Sequence, residues 1–193
     1  MDPLLLAAAD NNARWCDLVC RSHGVPTAFQ DGLWVATRRS PPLYPDAVTL
    51  RPGISVEAVL ADIDAGPGCS LKDSFADLDL AAVGFEELFG ASWIAREPGE
   101  AGGEATRWSA VEGELDASVR ELAAGSSSAI ANRTGSVVGI SNVFGDDAWT
   151  GLAEAVWEEF PGLTLVGYEH GEALGAALAA GFRELGPLRV WLT

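Results

Sequence analysis

A strand, a helix and a second strand follow one another late in this sequence and constrain its fold more than any other feature. The segment "SVVGISNVF" (residues 136–144) is apolar and rich in β-branched residues, which favour strands. The next helix has one apolar stripe, at spacings of three and four residues: Trp149, Leu152, Ala153, Val156, Trp157 and Phe160. The segment "LTLVGYE" (163–169) predicts the second strand. We therefore predict an α/β fold with a mixed sheet, in which the stripe packs as core.

The remaining sequence predicts further elements of the same kinds. We expect a first helix over 10–22, capped by Asp10 or Asn11, and another helix that begins after Ser55. The other elements predicted in the first half are strands over 32–37, 47–50, 69–75 and 91–96, and a short helix over 76–85. Those predicted in the second half are helices over 113–123 and 171–182, and strands over 128–133 and 187–192.

The two halves of the sequence resemble each other. The segment "AVGFEELFGASWI" (82–94) is similar to "AAGFRELGPLRVWL" (179–192), with Gly84 and Gly181 separated by 97 positions. At this offset the preceding strand and helix align without a gap, which places Lys72 opposite Glu169 and Asp73 opposite His170. We predict a two-copy repeat of helix, strand, strand, helix, strand, helix and strand. The predicted halves are 1–97 and 107–193, and the Gly- and Glu-rich segment 98–106 is the predicted linker.

The composition narrows the classes of partner and compartment. A hydrophobic content of 48% predicts a folded chain, and a net charge of −16 argues against binding to nucleic acids or anionic membranes. The N-terminal apolar run lacks a basic flank, so it does not predict a signal peptide, and no apolar stretch is long enough to span a membrane. The three cysteines suit a reducing cytoplasm. Cys16, Cys20 and His23 match no metal-site spacing, so we predict small core residues and no metal.

The order of elements, with "GF" before the last strand, resembles that of the GNAT (Gcn5-related) N-acetyltransferases, most clearly over 136–193. This resemblance implies a GNAT-like fold that opens between the strands "VVGISNVF" and "LTLVGYE". Acetyl-CoA would lie in that opening, with its pyrophosphate on the N-terminus of the following helix. The family's closing helix reads N-x-x-A-x-x-x-Y-x-x-x-G-F, and Ala173, Gly181 and Phe182 match it. If the repeat is real, a weaker resemblance extends over 33–96.

Two signatures of the family are absent. The family's phosphate loop reads Arg or Gln, two residues, Gly, one residue, then Gly or Ala, whereas this loop reads "FGDDAWTG". Asp146 and Asp147 would oppose a phosphate, so we predict that one of them caps the helix near Ala148 and that this loop holds no phosphate. The position of the family's Tyr, often the general acid, is Ala177 here and Leu80 in the first copy.

The equivalent loop of the first copy, "RPGIS" (51–55), carries a cation and no carboxylate. Its candidate cofactor-binding residues are Arg51, Gly53 and Ser55, with N–H groups and a guanidinium for a phosphate. The alternative is an ordinary capped helix start after a turn. By the resemblance, the strand end "SNVF" adds Ser141, Asn142 and Phe144 as candidates to contact acetyl-CoA.

Polar residues at the ends of strands supply the catalytic candidates, because ligands of open α/β sheets lie outside the carboxyl ends of parallel strands. Glu169 is the candidate general base for an amine, and Tyr168 or His170 would supply a proton. The alternative for these residues, and for Lys72 with Asp77, is ion pairing and helix capping. The candidate substrate-side residues are Trp34, Tyr44, Asp46, Lys72, Asp73 and Asn132.

Two functions of different classes fit these observations. The resemblance implies an acyl-CoA-dependent N-acyltransferase, whose negative charge would attract a cationic amine of small-molecule or peptide origin. The missing phosphate loop and Tyr favour instead a GNAT-shaped binding or regulatory module without catalysis. The sequence does not identify the oligomeric state.

Overall fold

The computed structural model describes residues 2–99, 107–111 and 116–193, which form two compact units. Unit 1 comprises Met1–Ala91 together with Gly186–Thr193, and unit 2 comprises Ser92–Leu185. The last eight residues of the chain therefore belong to unit 1, although they lie in the predicted C-terminal half. Most of the predicted linker, residues 100–106, lies outside the described residues.

Unit 1 is built around a five-stranded sheet. Its helices and strands are α1 (Pro3–Ser22), β1 (Thr27–Gln30), β2 (Leu33–Ala36), β3 (Ala47–Thr49), α2 (Val56–Leu60) and β4 (Ser70–Asp73). The first part of β5 (Glu86–Arg96) and the last part of β11 (Arg183–Leu192) also lie in this unit. The sheet order is β1-β2-β3-β4-β11, in which β3 and β4 are parallel and the other neighbours antiparallel.

Unit 2 is built around a six-stranded sheet. Its complete elements are β6 (Ser109–Ala110), β7 (Val119–Ala124), β8 (Ser127–Thr134), β9 (Val137–Phe144), α3 (Leu152–Glu159), β10 (Thr164–Glu169) and α4 (Gly171–Ala179). The sheet order is β6-β7-β8-β9-β10-β5, in which β9 and β10 are parallel and the other neighbours antiparallel. The predicted strand–helix–strand succession is thus confirmed as β9, α3 and β10.

The strands β4 and β10, which hold Leu71 and Tyr168, occupy the same place in their sheets. Each is parallel to the strand before it and antiparallel to the strand on its other side. The antiparallel neighbour comes from the other sequence half in both cases: β11 pairs with β4, and β5 pairs with β10. The end of β5, from the first predicted half, therefore lies in unit 2, and the end of β11, from the second predicted half, lies in unit 1.

Gly84 and Gly181 end their turns in the same way. Their φ angles are 93° and 87°, the left-handed region that glycine tolerates. Gly84 donates to the carbonyl of Ala81, and Gly181 donates to that of Leu178, at 3.2 and 3.0 Å. The following phenylalanines donate to carbonyls five residues earlier, each at 3.2 Å: Phe85 to Leu80 and Phe182 to Ala177. Both are Schellman-type helix ends, formed at the 97-residue offset.

The first helix begins earlier than predicted. The carboxylate of Asp2 accepts a hydrogen bond from the N–H of Leu4 at 2.9 Å, and Pro3 occupies the first helical turn. Asp10 and Asn11 therefore lie inside α1, and Asp10 pairs with Arg14 one turn later at 2.8 Å. The prediction of a cap at Asp10 or Asn11 is wrong, because the N-terminal apolar residues are already helical.

Two of the predicted helices are wrong. The described part of the helix predicted over 113–123 contains strand β7, which pairs with β8 along its whole length. These ladder hydrogen bonds override the helical preference of "VRELA". The helix predicted over 76–85 is only a 3-10 turn at Ala81–Val83. The buried Asp73 instead fixes the start of this segment, because its carboxylate accepts hydrogen bonds from the N–H groups of Phe75, Asp77 and Leu78.

The predicted apolar stripe lies in the core of unit 2, although α3 itself begins only at Leu152 and Trp149 belongs to the loop before it. Trp149 packs edge-on against Phe182, with ring centroids 5.2 Å apart, and Leu152 and Val156 are fully buried. Trp157 is half-buried, and its indole N–H donates to the carbonyl of Leu163 at 2.8 Å. In unit 1, the equivalent core is built from β2, β3, β4 and Val59 of α2. The sheet edge at the ends of β9 and β10 is thereby held over a packed layer.

Candidate functional site

The parallel strands β9 and β10 are joined over only part of their length. Their register contains three pairs, from Val137 opposite Thr164 to Gly139 opposite Val166. A Cβ on Gly167 would lie 2.9 Å from the carbonyl oxygen of Ile140, so the backbones approach closely at that level. Beyond it, Asn142 adopts a left-handed conformation with φ of 52°, and β9 has a register shift against β8. The carboxyl ends of β9 and β10 thus have no described ladder pairs with each other, although β9 still pairs with β8 and β10 with β5.

The equivalent place in unit 1 is closed by side chains. The N–H of Ser74, just after β4, donates to the hydroxyl oxygen of Thr49 at the end of β3, at 2.8 Å. The buried Asp73 carboxylate occupies the next position and accepts three backbone N–H groups. The side chain of Arg189 contacts this carboxylate at 3.4 Å and donates to two carbonyls of the same segment. The end of β4 is therefore filled, whereas that of β10 is not.

A cavity of about 850 Å³ lies in unit 2, and Val143 near the end of β9 is part of its lining. One wall is the loop Gly145–Gly151 together with Glu154 of α3. The other wall is the small-residue face of α4, and Arg96 of β5 completes the lining. Small residues on α4 leave this space open: Ala173, Ala176, Ala179, Ala180 and Gly181.

The helix α3 begins at this cavity without the predicted cap. Its N-cap residue is Gly151, with φ of 70°, and no side chain accepts a hydrogen bond there. The prediction that Asp146 or Asp147 caps the helix is wrong, because both precede its first turn by several residues. Their side chains are exposed, and their backbone carbonyls are engaged elsewhere.

Most of the charge that lines the cavity is negative. Asp146, Asp147, Glu154 and Glu172 contribute carboxylates, and Arg96 contributes the one cation among the residues that form the lining. The guanidinium of Arg96 lies 2.8 Å from the carboxylate of Glu154 and stacks over the ring of Trp157, 4.9 Å from its centroid. An anionic ligand would therefore depend on backbone N–H groups and on redistribution of this ion pair.

Glu169 ends β10, where it lies opposite Ser92 of β5. Burial of the carboxyl group raises its pKa from 4.5 to about 7, and a hydrogen bond from the backbone of His170 opposes this shift. The group is therefore poised to take up a proton near neutral pH. Tyr168 packs edge-on against Trp93, with ring centroids 5.5 Å apart, and His170 is the N-cap residue of α4. The three predicted catalytic residues thus lie together at the open end of the sheet.

The predicted cofactor-binding residues of β9 follow the end of the parallel ladder. The hydroxyl of Ser141 is buried and has no hydrogen-bond partner in the described parts of the chain. Asn142 forms the bulge, and Phe144 is 62% exposed. These three residues lead from β9 into the loop that lines the cavity.

The other predicted cofactor-binding residues, in unit 1, are already engaged. The N–H of Gly53 donates to the carboxylate of Asp77 at 2.8 Å, and the hydroxyl of Ser55 accepts from Ala58 as the N-cap of α2. Arg51 packs against Gly32 and lies 3.5 Å from Asp31. A phosphate at this loop would have to displace the carboxylate of Asp77.

Five of the six predicted substrate-side residues lie in unit 1, where several have structural contacts. The indole N–H of Trp34 donates to Asp17 at 3.1 Å, and Tyr44 packs near Trp15. The buried Asp46 accepts hydrogen bonds from three residues: Arg39, Ser40 and Ser70. These contacts join the loop after β2 to the start of β4.

The remaining substrate-side candidates differ in their surroundings. The ammonium of the buried Lys72 donates to the side-chain oxygen of Asn12 at 2.7 Å. The sequence-based alternative named Asp77, and not Asn12, as the partner of Lys72. Asp73 fills the end of β4, as described above. Asn132 lies in unit 2, buried on β8 opposite Gly139, beside the strand that leads to the cavity.

Cys16 and Cys20 of α1, and Cys69 just before β4, are buried free thiols. Burial raises the pKa of Cys16 and Cys69 to about 11 and that of Cys20 to about 12, so all three stay protonated at neutral pH. Within the described residues there is no group of three metal-ligating side chains, and no helix has the length and apolar character of a membrane span.

Sequence reasoning missed two arginines of unit 2. Arg96 lines the cavity, and Arg107 donates to the carbonyls of Asp146 and Asp147. In the sequence, Arg96 is only the polar residue at the end of a predicted strand. Arg107 follows a segment whose apolar residues show no helical or strand periodicity. Their partners lie about 40 to 60 residues away, so no local pattern indicates either contact.

Comparison with known proteins identifies the fold. No family model matches the sequence, and no curated protein matches it significantly. A putative acetyltransferase of the GNAT family from Novosphingobium aromaticivorans has a similar structure, with a TM-score of 0.59 and 14% identity over 95% of this chain and 97% of that chain. This chain therefore has a GNAT-type fold, as the resemblance in its sequence predicted.

Two further solved structures are less similar. A GCN5-related N-acetyltransferase from Sphaerobacter thermophilus has a TM-score of 0.44 and 10% identity over 71% of this chain and 63% of that chain. A tandem GNAT protein from the clavulanic acid biosynthesis pathway, solved without AcCoA, has a TM-score of 0.47 and 12% identity over 96% of both chains.

Proposed function

We propose that unit 2 binds an acyl-CoA and transfers its acyl group to an amine. The observation that carries this proposal is the 850 Å³ cavity at the start of α3, which Val143 of β9 and Glu172 in the first turn of α4 line, beyond the point where the β9–β10 ladder stops. Glu169 lies three residues before Glu172, at the end of β10. Backbone N–H groups at a helix start attract phosphate. The GNAT-type fold supports the same placement.

The reaction is direct attack of the neutral amine on the thioester carbonyl, after the cationic form of the substrate has released one proton to the solvent. Glu169 takes the proton that the amine loses, the C–N bond forms, and the C–S bond breaks. The departing CoA thiolate accepts a proton from Tyr168 or His170, because Ala177 provides no hydroxyl. The raised pKa of Glu169, about 7, lets it act as a base without holding a permanent charge in a buried place.

In this proposal, unit 1 binds no cofactor. The hydrogen bond from Ser74 to Thr49 and the buried Asp73 occupy the place that the cofactor takes in unit 2. The matching strand topology and the paired turns at Gly84 and Gly181 support an internal repeat, in which only the second copy keeps an open site.

The substrate is a cationic amine, from a small molecule or a peptide, in the cytoplasm. The net charge of −16 supports this class, because long-range attraction speeds the encounter with a cation. The buried thiols also suit a reducing compartment.

Calorimetric titration of acetyl-CoA, followed by an acetyl-transfer assay against a panel of amines, tests this function. We expect wild type to bind, and Glu169→Gln to bind equally well but to transfer at least about 100-fold more slowly, as for loss of a general base. Glu121→Gln, which removes an exposed carboxylate of β7, is the matched control and should retain full activity. No binding by wild type at millimolar acetyl-CoA would contradict the proposal.

The second candidate is a GNAT-shaped binding module without catalysis. The acidic cavity lining and Ala177 at the position of the family's Tyr favour it. Under this alternative, acetyl-CoA or another ligand binds, and no amine in the panel is acetylated above the rate of a blank.

A further inference from the structure

Two residues before β6 hold the cavity loop by its carbonyl oxygens. One guanidinium nitrogen of Arg107, Nη2, donates to the carbonyls of Asp146 and Asp147, at 3.0 and 2.7 Å. The indole N–H of the buried Trp108 donates to the carbonyl of Thr150 at 3.0 Å. The hydroxyl of Ser127 adds a bond to Asp146 at 3.2 Å, where Gly145 lets the loop approach β8. Three carbonyls of a seven-residue loop are thus anchored on one side.

Anchoring a carbonyl also orients the next N–H group. In a trans peptide the C=O and the following N–H point in opposite directions. The N–H groups of Asp147 and Ala148 therefore point away from Arg107, and that of Gly151 points away from Trp108. The same loop lines the cavity, and the lining includes neither Arg107 nor Trp108. The N–H groups of Asp147 and Ala148 are thus turned away from an arginine that lies outside the lining.

We infer that Arg107 positions the loop Gly145–Gly151 for a phosphate group and supplies the positive charge that the loop itself lacks. This inference rests on the proposed function, since the phosphate is that of the acyl-CoA. Arg107 is a positioning residue: it acts on the ligand through the peptide groups that it holds. Its charge also offsets the two adjacent carboxylates of Asp146 and Asp147, and the inference therefore departs from the sequence-based prediction that this acidic loop holds no phosphate.

Substitution of Arg107 tests this inference. The variants are Arg107→Ala and Arg107→Lys, with Arg133→Ala as the matched control, because Arg133 is an exposed arginine of unit 2 whose hydrogen bond is to Gly135 two residues away. Acetyl-CoA is titrated into each variant in a calorimeter at low salt. Hydrogen exchange is then followed in the peptides that cover the loop Gly145–Gly151. Thermal melting of the unliganded proteins reports any global loss of structure.

We expect Arg107→Ala to weaken acetyl-CoA binding about tenfold, equivalent to ~1.4 kcal/mol. The loop should exchange faster in this variant while the melting temperature changes little, and Arg107→Lys should restore most of the affinity. Equal affinity in Arg107→Ala and Arg133→Ala would overturn the inference and leave the proposed function standing. So would a weakened Arg107→Ala whose loop exchanges at the wild-type rate. Failure of wild type to bind acetyl-CoA would overturn both.

Discussion

At the scale of single residues, the proposed reaction depends most on the end of β10. Glu169 is buried enough for its pKa to rise to about 7, Tyr168 packs edge-on against Trp93, and His170 is the N-cap residue of α4. One residue type alone would not mark the site, because buried carboxylates such as Asp46 also serve structure. What distinguishes Glu169 is its place at an open strand end.

The activity should depend on the ionisation of Glu169. Because the base must be deprotonated, we expect kcat/KM for acetyl transfer to rise with pH and to level off above about 7. The measurement is a pH profile from 5 to 9 with saturating acetyl-CoA. A profile that is flat between pH 5 and 8 would argue against Glu169 as the base.

The free energy of unfolding should also depend on the ionisation of Glu169, but it should fall as the pH rises, whereas the activity should increase. The pKa of Glu169 is raised in the folded protein, from 4.5 to about 7, so the folded state binds more protons than the unfolded state between these values. The free-energy cost of burying the ionised Glu169 carboxylate is absent below pH 4.5 and reaches its full value above pH 7. Glu169→Gln should therefore raise the melting temperature more at pH 8 than at pH 5, whereas the exposed control Glu121→Gln should change it little at either pH.

The buried hydroxyl of Ser141 is a second single-residue test. It has no hydrogen-bond partner among the described residues, and an unsatisfied buried polar group is costly. Ser141→Ala should leave the free energy of unfolding unchanged or raise it by up to ~1 kcal/mol in urea titrations. Ser136→Ala, at an exposed turn, is the control. A loss of more than about 1 kcal/mol in Ser141→Ala alone would show that the hydroxyl is satisfied.

At the scale of elements, the same strand pair is open in one unit and closed in the other. In unit 2 the loop before α3 lines a cavity, and in unit 1 the segment after β4 folds back onto Asp73. A buried carboxylate with three N–H donors organises a loop where a helix was predicted. The difference between the copies is thus made by side chains at the strand ends and not by the strand order.

Asp73 should be among the residues on which the stability of unit 1 depends most. Removing its carboxylate leaves three N–H groups without their acceptor and the half-buried Arg189 without its counter-charge, so Asp73→Ala should cost ~3 kcal/mol or more. Asp79→Ala, which removes an exposed carboxylate with one local bond, should cost less than ~1 kcal/mol. Urea unfolding measures both, and similar losses would contradict this account.

At the scale of the whole molecule, the chain exchanges its last strands between units. Unit 1 needs β11, whose Val190 and Trp191 are buried and pair with β4, and unit 2 needs Ser92–Arg96 of β5 beside β10. Cutting the sequence at its predicted linker would therefore remove from each unit a strand that pairs with its parallel strand β4 or β10. The boundaries 1–97 and 107–193 stay a prediction about the extent of the two repeated sequence halves, which is a different division from that into units 1 and 2.

Separate expression of the two halves tests this exchange. We expect fragments 1–97 and 107–193 each to lack a cooperative melting transition, and an equimolar mixture or co-expression to restore one. Circular dichroism and size-exclusion chromatography follow the outcome, with intact protein nicked by protease in the segment 100–106 as the control. Cooperative, monomeric folding of either fragment alone would contradict the exchange.

The sequence by itself determined the elements whose signals are local. Period-two and period-3.6 patterns located most strands and α3, Ser55 marked the start of α2, and the "GF" pairs marked two equivalent turns. Glu169, Tyr168 and His170 could be found because polar residues at strand ends follow from the order of elements alone. The GNAT-type fold followed from that same order.

Only the tertiary structure decided which strand end is open. Ser74 reaches Thr49 across 25 residues, Arg107 reaches Asp146 across 39, and β11 leaves its own half to pair with β4. Such contacts depend on the positions of whole elements, because a hydrogen bond between distant residues forms only after the sheet has brought them together. The pKa of Glu169 follows for the same reason: burial belongs to the packed molecule and to no segment of its sequence.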